Sequence, residues 1–535
     1  MKKTLLLLLL AFNLGFSQED AWIYFNDKPD AATFLANPLT MLTQRSLDRR
    51  TAQGITLSTT DVPIAQTYID QVTASTGITV MAKSKWLNAL HVRGTQTDIQ
   101  ALASLSFVSS IEFANQALNS RFSSTSTSNA INKNMNVEVT FNYGTSANQI
   151  QMLNGHLLHQ QDFTGAGKII AVLDSGFQNV NVAAPFQRLF TNNLILGGYN
   201  YVNQSTNVYA LHNHGTMVLS CMGGYVDGQL VGTAPDAQYY LFVTEDVAAE
   251  NPVEESYWVE AAEEADRLGV DVITTSLGYF TDFTNPNYSH TYSQMTGNQL
   301  YASRGANIAF SKGIVVVASA GNSGSSAEPH IGTPAEATNV LAVGAVRNDE
   351  VYATFSSIGP SFDGRVKPDV MAQGQASVVS NTSGNIVTAN GTSFSGPIMA
   401  GMVTSFWSAV PNLTAVDVVQ FVKESSDRFT LPTNQYGYGI PDFQLALTNA
   451  LNSESFENEV FLIYPNPVNS TIFVKVPDES VNSVFYLYNN LGQKVQESTI
   501  INTNQTINVE NLASGMYFYE LSTQNKTLQG KLLKL

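Results

Sequence analysis

The chain has 535 residues, 44% of them hydrophobic and 13% charged, with a formal net charge of −17. That length fits about two to four domains, and that composition fits folded domains with large cores. The acidic balance argues against a nucleic-acid binder, which needs a basic face, and the lone cysteine, Cys221, excludes an internal disulfide framework.

Met1-Lys2-Lys3, an apolar run from Leu5 to Phe12, and Gly15-Phe16-Ser17 together predict a secretory signal peptide over residues 1–17. The run is too short to span a bilayer, and no later stretch approaches the ~18 apolar residues of a membrane helix. Residues 18–118 read as a small α+β unit. Ala21–Phe25 is strand-like. Asp61–Thr76 is helical, with Ile64, Tyr68, Ile69 and Val72 on one face. Ile78–Val92 is strand-like, Thr97–Leu105 helical and Phe107–Phe113 strand-like. Arg45 and Arg49-Arg50 fall on a predicted helix and read as its solvated face. Residues 119–136 are rich in Ser, Thr and Asn, with Ser123–Ser128 at the centre. This is a linker by composition and a place where proteolytic nicking concentrates. Residues 119–149 are taken as linker and start of the mature region.

From 150 to 450 the pattern changes. Lys168–Leu173, Gln238–Val243, Val270–Thr275, Gly313–Ser319 and Val340–Val346 are continuous β-rich apolar runs, as expected of strands buried on both faces in a parallel sheet. Glu254–Leu268 and Ser393–Val410 are the clearest intervening helices, so the class is α/β. In residues 460–535, period-two alternation (Ile472/Val474/Val476 and Tyr517/Tyr519/Leu521) with frequent turn residues predicts a small β-sandwich. Asn452–Asn458 reads as its linker.

Four residues stand out for chemistry. Ser393, in Gly391-Thr392-Ser393, is placed at the mouth of a helix of small residues. There it is either a plain N-cap or a nucleophile beside free backbone N–H groups. His214, in His214-Gly215-Thr216, opens an apolar helical run, and the helix dipole lowers its pKa toward the neutral form a general base needs. Asp174 ends the buried run Ile169–Leu173, where α/β folds place their sites, or else makes a turn. Asn322, in Ser319-Ala320-Gly321-Asn322, offers an amide to an oxyanion or belongs to an ordinary Asn-Gly turn. Cys221, one helical face along from His214, reads as a small buried hydrophobe. The order Asp, His, Ser is that of the subtilisin arrangement, and the Gly-x-Ser-x-Gly elbow of an α/β-hydrolase esterase fails at Ser395.

The chain resembles the subtilases over about residues 150–450. The resemblance rests on Ala171–Gly176, His214-Gly215-Thr216, Thr275-Ser276-Leu277-Gly278, Ser319–Asn322, Phe355–Pro360, Gly364–Val370 and Gly391-Thr392-Ser393. It implies a subtilisin-like parallel-sheet domain. It also implies a serine endopeptidase in which Ser393 attacks, His214 carries the proton, Asp174 orients it, and Asn322 helps hold the oxyanion through an acyl-enzyme cycle. Ser276, Leu277 and Gly278, with Ser319, Ala320 and Gly321, are then two edge segments that bind substrate backbone. Thr333-Pro334 matches a position that often carries a cis peptide. No cofactor is required for the chemistry. A structural calcium is an option carried by the resemblance, with no located site and no Asp-x-Asp-x-Asp-Gly loop.

Departures are Gln373 in Ala372-Gln373-Gly374, the pair Ser395-Gly396, and a polar Asn/Tyr-rich stretch over 281–311. Residues 18–118 resemble an inhibitory subtilase propeptide that makes the chain a zymogen. Residues 460–535 resemble a type IX secretion sorting domain, through Tyr464–Val468, Leu487–Gly492, Asn511–Tyr517 and Lys531–Leu535. The expected partners are protein or peptide substrates, the chain's own propeptide and an outer-membrane export machinery, without nucleic acid, for a monomer that is secreted, extracellular or attached to the cell surface. The competing reading is a catalytically inactive surface binding protein on the same scaffold.

Overall fold

The computed structural model describes residues 18–119, 141–458, 462–476, 481–522 and 527–535. The predicted signal peptide and most of the Ser/Thr-rich linker lie outside the described residues. The chain divides into two compact units, one ending at Thr448 and one starting at Asn449.

In the first unit, residues 18–118 form a four-stranded antiparallel sheet from β1 (Gln18–Phe25), β2 (Thr79–Ser84), β3 (Ala89–Thr95) and β4 (Val108–Phe113), in the order β2-β3-β1-β4. The single apolar run predicted over 78–92 is a hairpin, because Trp86, Leu87 and Asn88 turn the chain and Asn88 sits at φ +51°. The helix predicted over 61–76 is confined to Gln66–Thr73, preceded by a 3₁₀ turn at Thr59–Asp61. Val72, Val92, Ile99, Leu102 and Phe113 close the core of this region.

The solvated face expected for the arginines is a correction. Helix α1 (Gln44–Ala52) turns Arg49 and Arg50 inward, and both are buried. Arg49 meets Asp266 at 2.5 Å, and Arg50 meets Asp266 at 2.6 Å and Asp61 at 2.9 Å. Arg45, beside them, reaches Asp271 at 2.5 Å. Periodicity separates polar from apolar faces, but it cannot tell a polar face on water from one on a carboxylate.

The remainder of this unit is built on seven parallel strands: β5 (Ile169–Asp174), β6 (Ile195–Asn200), β7 (Gln238–Val243), β8 (Val272–Thr275), β9 (Val315–Ser319), β10 (Leu341–Val346) and β11 (Val370–Gln373). Their order is β11-β10-β9-β8-β5-β7-β6, and every pairing is parallel. Strands β5, β8, β9 and β10 are buried along their full length, as their continuous apolar runs require. Edge strand β6 is absent from the sequence reading because Gly197-Gly198 breaks its apolar run.

Helix α2 (His214–Gly223) follows β6, α3 (Val253–Leu268) follows β7, α4 (Tyr301–Ser311) occupies the end of the polar stretch, and α5 (Thr392–Ala409) crosses beneath β8–β11. Helix α5 is buried from Thr392 to Trp407. Burying Ile398, Met399, Val403 and Phe406 stabilises the fold by about 1.5–3 kcal/mol each. Helix α3 ends at Gly269, whose φ of +82° suits a left-handed cap. Cys221 is fully buried. The Thr333–Pro334 peptide is cis.

The second unit contains a three-stranded antiparallel sheet (Leu462–Tyr464, Thr471–Lys475, Asn504–Asn508) and a four-stranded one (Ser483–Tyr488, Lys494–Ile500, Gly515–Ser522, Thr527–Lys534). Ile472, Val474, Phe485, Leu487, Leu521 and Leu532 share one core between them. Asn452–Asn458, read as a linker from its composition, continues a helix that runs from Phe443 to Asn458. No helix among the described residues is long and apolar enough to cross a membrane.

Candidate active site

The carboxyl ends of β5, β7, β8 and β9 open onto one cleft of about 750 Å³. Asp174 is the last residue of β5 and is fully buried. It accepts hydrogen bonds from the Ser175 backbone N–H at 2.7 Å and from the His214 Nδ1–H at 2.9 and 3.0 Å to its two oxygens. His214 is the first residue of α2. Donation from Nδ1 fixes the tautomer and leaves Nε2 as the acceptor. Gly215 permits this approach, since a Cβ there would stand 2.5 Å from the Gly176 carbonyl and 3.0 Å from the Asp174 Cβ.

Burial alone would push the His214 pKa down. The charge and hydrogen bond of Asp174 outweigh it and hold the imidazole above its ordinary value. The direction is opposite to the helix-dipole expectation, because a buried carboxylate at hydrogen-bond distance is stronger than the partial charge at a helix end.

Ser393 is in the first turn of α5 and lines the same cleft as His214. Gly391 enters the helix at φ +152°, ψ +149°, a backbone region essentially limited to glycine. Pro397 lies four residues after Ser393 and has no N–H to close the helical bond to the Ser393 carbonyl. The Ser276 hydroxyl donates to that carbonyl instead, at 3.0 Å. The Ser319 hydroxyl donates to the Thr392 carbonyl at 2.7 Å. The helix mouth is thus pinned to the ends of β8 and β9.

Asn322 follows β9. Its Oδ1 accepts from the Thr392 backbone N–H at 2.9 Å and from the Thr392 hydroxyl at 3.1 Å. With Oδ1 engaged, the Nδ2 donors are left over, and among the described residues they reach no protein acceptor. Asn322 lines the cleft together with Ser276, Leu277, Gly278, Ser319, Ala320 and Gly321. Every site residue named from the sequence is therefore at this cleft, with Asp174 directly behind His214.

Several neighbours were not legible as site residues. The Ser175 hydroxyl donates to Asp174 at 3.2 Å and lies 3.1 Å from His212 Nδ1. His212, Glu245, Asp246, Glu250 and Asp282 also line the cleft. A usable signal existed for Glu245, which follows the buried strand β7 as Asp174 ends β5.

Comparison with known proteins gives three regions of likeness. Residues 20–132 match the peptidase S8 propeptide domain of Bacteroidota, residues 165–439 the subtilase family, and residues 462–534 a secretion system C-terminal sorting domain. Subtilisin DY of Bacillus licheniformis is 30% identical over 271 residues, covering 50% of this chain and 87% of that protein. The serine protease AprX of Bacillus subtilis is 28% identical over 361 residues, covering 62% of this chain and 76% of its own length. A crystal structure of the epidermin leader peptide processing serine protease of Staphylococcus aureus superposes with a TM-score of 0.53 at 16% identity, covering 81% of this chain and 99% of that one, a likeness of fold.

Proposed function

The chain belongs to the subtilase family as a secreted or cell-surface serine peptidase with a propeptide and a C-terminal sorting domain, and on that footing we propose that it is an endopeptidase whose nucleophile is Ser393, made as a zymogen. The Ser393 Oγ bonds to the scissile carbonyl carbon while its proton passes to His214 Nε2. Asp174 holds the tautomer and stabilises the imidazolium. The carbonyl oxygen, now negative, accepts from the Asn322 Nδ2–H and the Ser393 backbone N–H. Collapse breaks the C–N bond, and the proton moves from His214 to the leaving amine. Water, deprotonated by the same imidazole, then cleaves the acyl ester and restores Ser393. Ser276–Gly278 and Ser319–Gly321 supply backbone hydrogen bonds to an extended substrate. The observation that carries this reading is the Asp174–His214 pair placed in one cleft with Ser393 and an asparagine whose Nδ2 donors are unused.

Hydrolysis of unfolded casein by the processed enzyme tests the reading, and Asn322→Ala probes the oxyanion hole within it. The variant is expected to lose about 10²–10³ in kcat, the scale known for the equivalent loss in subtilisin, with KM little changed. A KM defect with unchanged kcat would assign Asn322 to ground-state binding.

The zymogen reading is supported by how residues 18–118 sit on the rest of the unit. Near the β1 end, the Trp22 Nε1–H and His91 Nδ1 both meet the Ser256 hydroxyl at 2.8 Å. Glu263 accepts from the Ser84 hydroxyl and from the Lys85 and Trp86 backbone N–H groups. Away from this patch, Asp266 of α3 holds both Arg49 and Arg50. Asp266→Ala would strand the buried Arg49 guanidinium and leave Arg50 with Asp61 as its carboxylate partner, at a cost of about 3–5 kcal/mol. The expected result is that the cleaved propeptide separates from the enzyme on gel filtration under conditions where the wild type retains it. Equal retention would show that this anchor does not contribute to docking.

A further inference from the structure

One wall of the cleft carries charge that the chemistry above does not use. Glu245 follows β7, Asp246 and Glu250 lie in the loop leading to α3, and Asp282 comes shortly after Gly278. Glu254, in the first turn of α3, completes a knot in which one carboxylate oxygen from each of Glu245, Glu250 and Glu254 lies within 4.8 Å of the others. The cleft lining includes no lysine or arginine. Among the described residues none of these five carboxylates makes a salt bridge. Elsewhere in this unit, three buried aspartates are each matched by two cations: Asp266 by Arg49 and Arg50, Asp61 by Arg50 and Lys312, Asp369 by Lys367 and Lys423.

The charges acting on Glu245 are those of Glu254, Glu250 and Asp174, and those acting on Glu250 are Asp282 and Glu255. Burial and this mutual repulsion push Glu250 up to about 7 and Glu254 up to about 8. The knot thus sheds charge by holding protons, and an incoming cation would release them.

Glu245, Asp246, Glu250 and Asp282 do not stand alone, since they line the cleft of Ser393, His214 and Asn322, whose occupant on the serine-peptidase reading is an extended peptide. Ser276–Gly278, the segment proposed to pair with that peptide, continues into Tyr279, whose hydroxyl donates to Glu245 at 3.3 Å. A substrate residue paired along this segment passes beside the acidic wall. A calcium ion fits the knot poorly. Both Glu254 oxygens already accept backbone N–H groups, from Asp246 at 2.7 Å and Asn251 at 2.6 Å, and calcium takes about 6–8 oxygen ligands. The long arm of a lysine or arginine can reach such a recess while its stem packs on Val247, Ala248 and Phe280.

We propose that this cleft selects peptides carrying a lysine or arginine at one fixed position in the stretch that pairs with Ser276–Gly278, with the cationic head seated against Glu245 and Glu250. The inference rests on the serine-peptidase reading and names its substrate class.

The test uses the processed enzyme on a proteome-derived peptide library with mass-spectrometric readout of cut sites, followed by matched peptides bearing Lys, Arg, norleucine or Glu at the enriched position. The wild type is expected to prefer Lys or Arg over norleucine by about tenfold or more in kcat/KM, and Glu250→Gln to lower that ratio about tenfold. Glu250→Lys is expected to turn the preference toward Glu. Glu250 is chosen because it is less enclosed than Glu245, and fluorophosphonate labelling of each variant checks that its site is assembled. Cleavage with normal labelling but no basic preference overturns the inference and leaves the serine-peptidase reading standing. A calcium requirement abolished by Glu250→Gln with peptide preference unchanged overturns it in favour of a metal ion. Absence of both cleavage and labelling in the wild type takes down the underlying reading, and this inference with it.

Discussion

Ser393→Ala is expected to lower kcat by about 10⁶, the loss that removal of the nucleophile causes in subtilisin. The effect is this large because no neighbouring group can replace the missing bond to carbon. Ser276 and Ser319 also carry hydroxyls at the cleft, but both are committed to main-chain carbonyls of the α5 mouth, at Ser393 and Thr392. The change removes one oxygen from a residue that is only 9% exposed, so the fold should survive it. A folded but inactive chain is therefore the expected product. Its intact mass should also show the region before residue 141 still attached if the enzyme matures itself. Wild-type levels of casein hydrolysis would remove Ser393 from the mechanism.

Asp174→Asn is expected to cost about 10⁴ in kcat with the backbone geometry preserved. The asparagine amide would donate where the carboxylate accepts. His214 would then be turned to the tautomer that carries its proton on Nε2, the atom that must be free to take one from Ser393. The same substitution has a signature in pH. His214 is held above the ordinary imidazole value by Asp174 against the opposing effect of burial. The base is active only when neutral, so wild-type kcat/KM should rise with pH through an ionisation displaced upward from 6.5. In Asp174→Asn the opposing burial is left without compensation, and the acid limb of the residual activity should move to lower pH. An unmoved limb would mean that another group governs it.

Much of this site was legible because its residues terminate strongly patterned elements. Asp174, Asn322 and Ser276 follow runs so continuously apolar that only buried parallel strands accommodate them, and the carboxyl ends of such strands share one edge. Ser393 was legible through Gly391 and the small residues after it. The charged residues were harder. Arg49 and Arg50 read as solvated because their partner, Asp266, is more than 200 positions away and no local pattern announces it. Glu245, Glu250 and Asp282 lie in two separate loops with no local pattern that links them, and only the fold shows that they line one cleft without a cationic partner among the described residues. The His214 shift runs against the helix-dipole expectation for a related reason: a helix end is visible in the sequence, whereas the distance to Asp174 is set by the sheet. The hairpin within 78–92 and strand β6 were blurred by local interruptions that apolar counting cannot weigh, a turn at Asn88 and a Gly-Gly pair at 197–198.

The central claim is that Ser393 is an activated nucleophile in a complete serine-peptidase site. Reaction of the processed wild-type protein with a fluorophosphonate, followed by peptide mapping of the adduct, tests it most directly. The account predicts one phosphonyl group per chain, carried by Ser393, and strongly slowed labelling in Asp174→Asn. A processed, folded protein that takes up no label, or takes it up on a different serine, would contradict the account and favour a binding protein on an inactive peptidase scaffold.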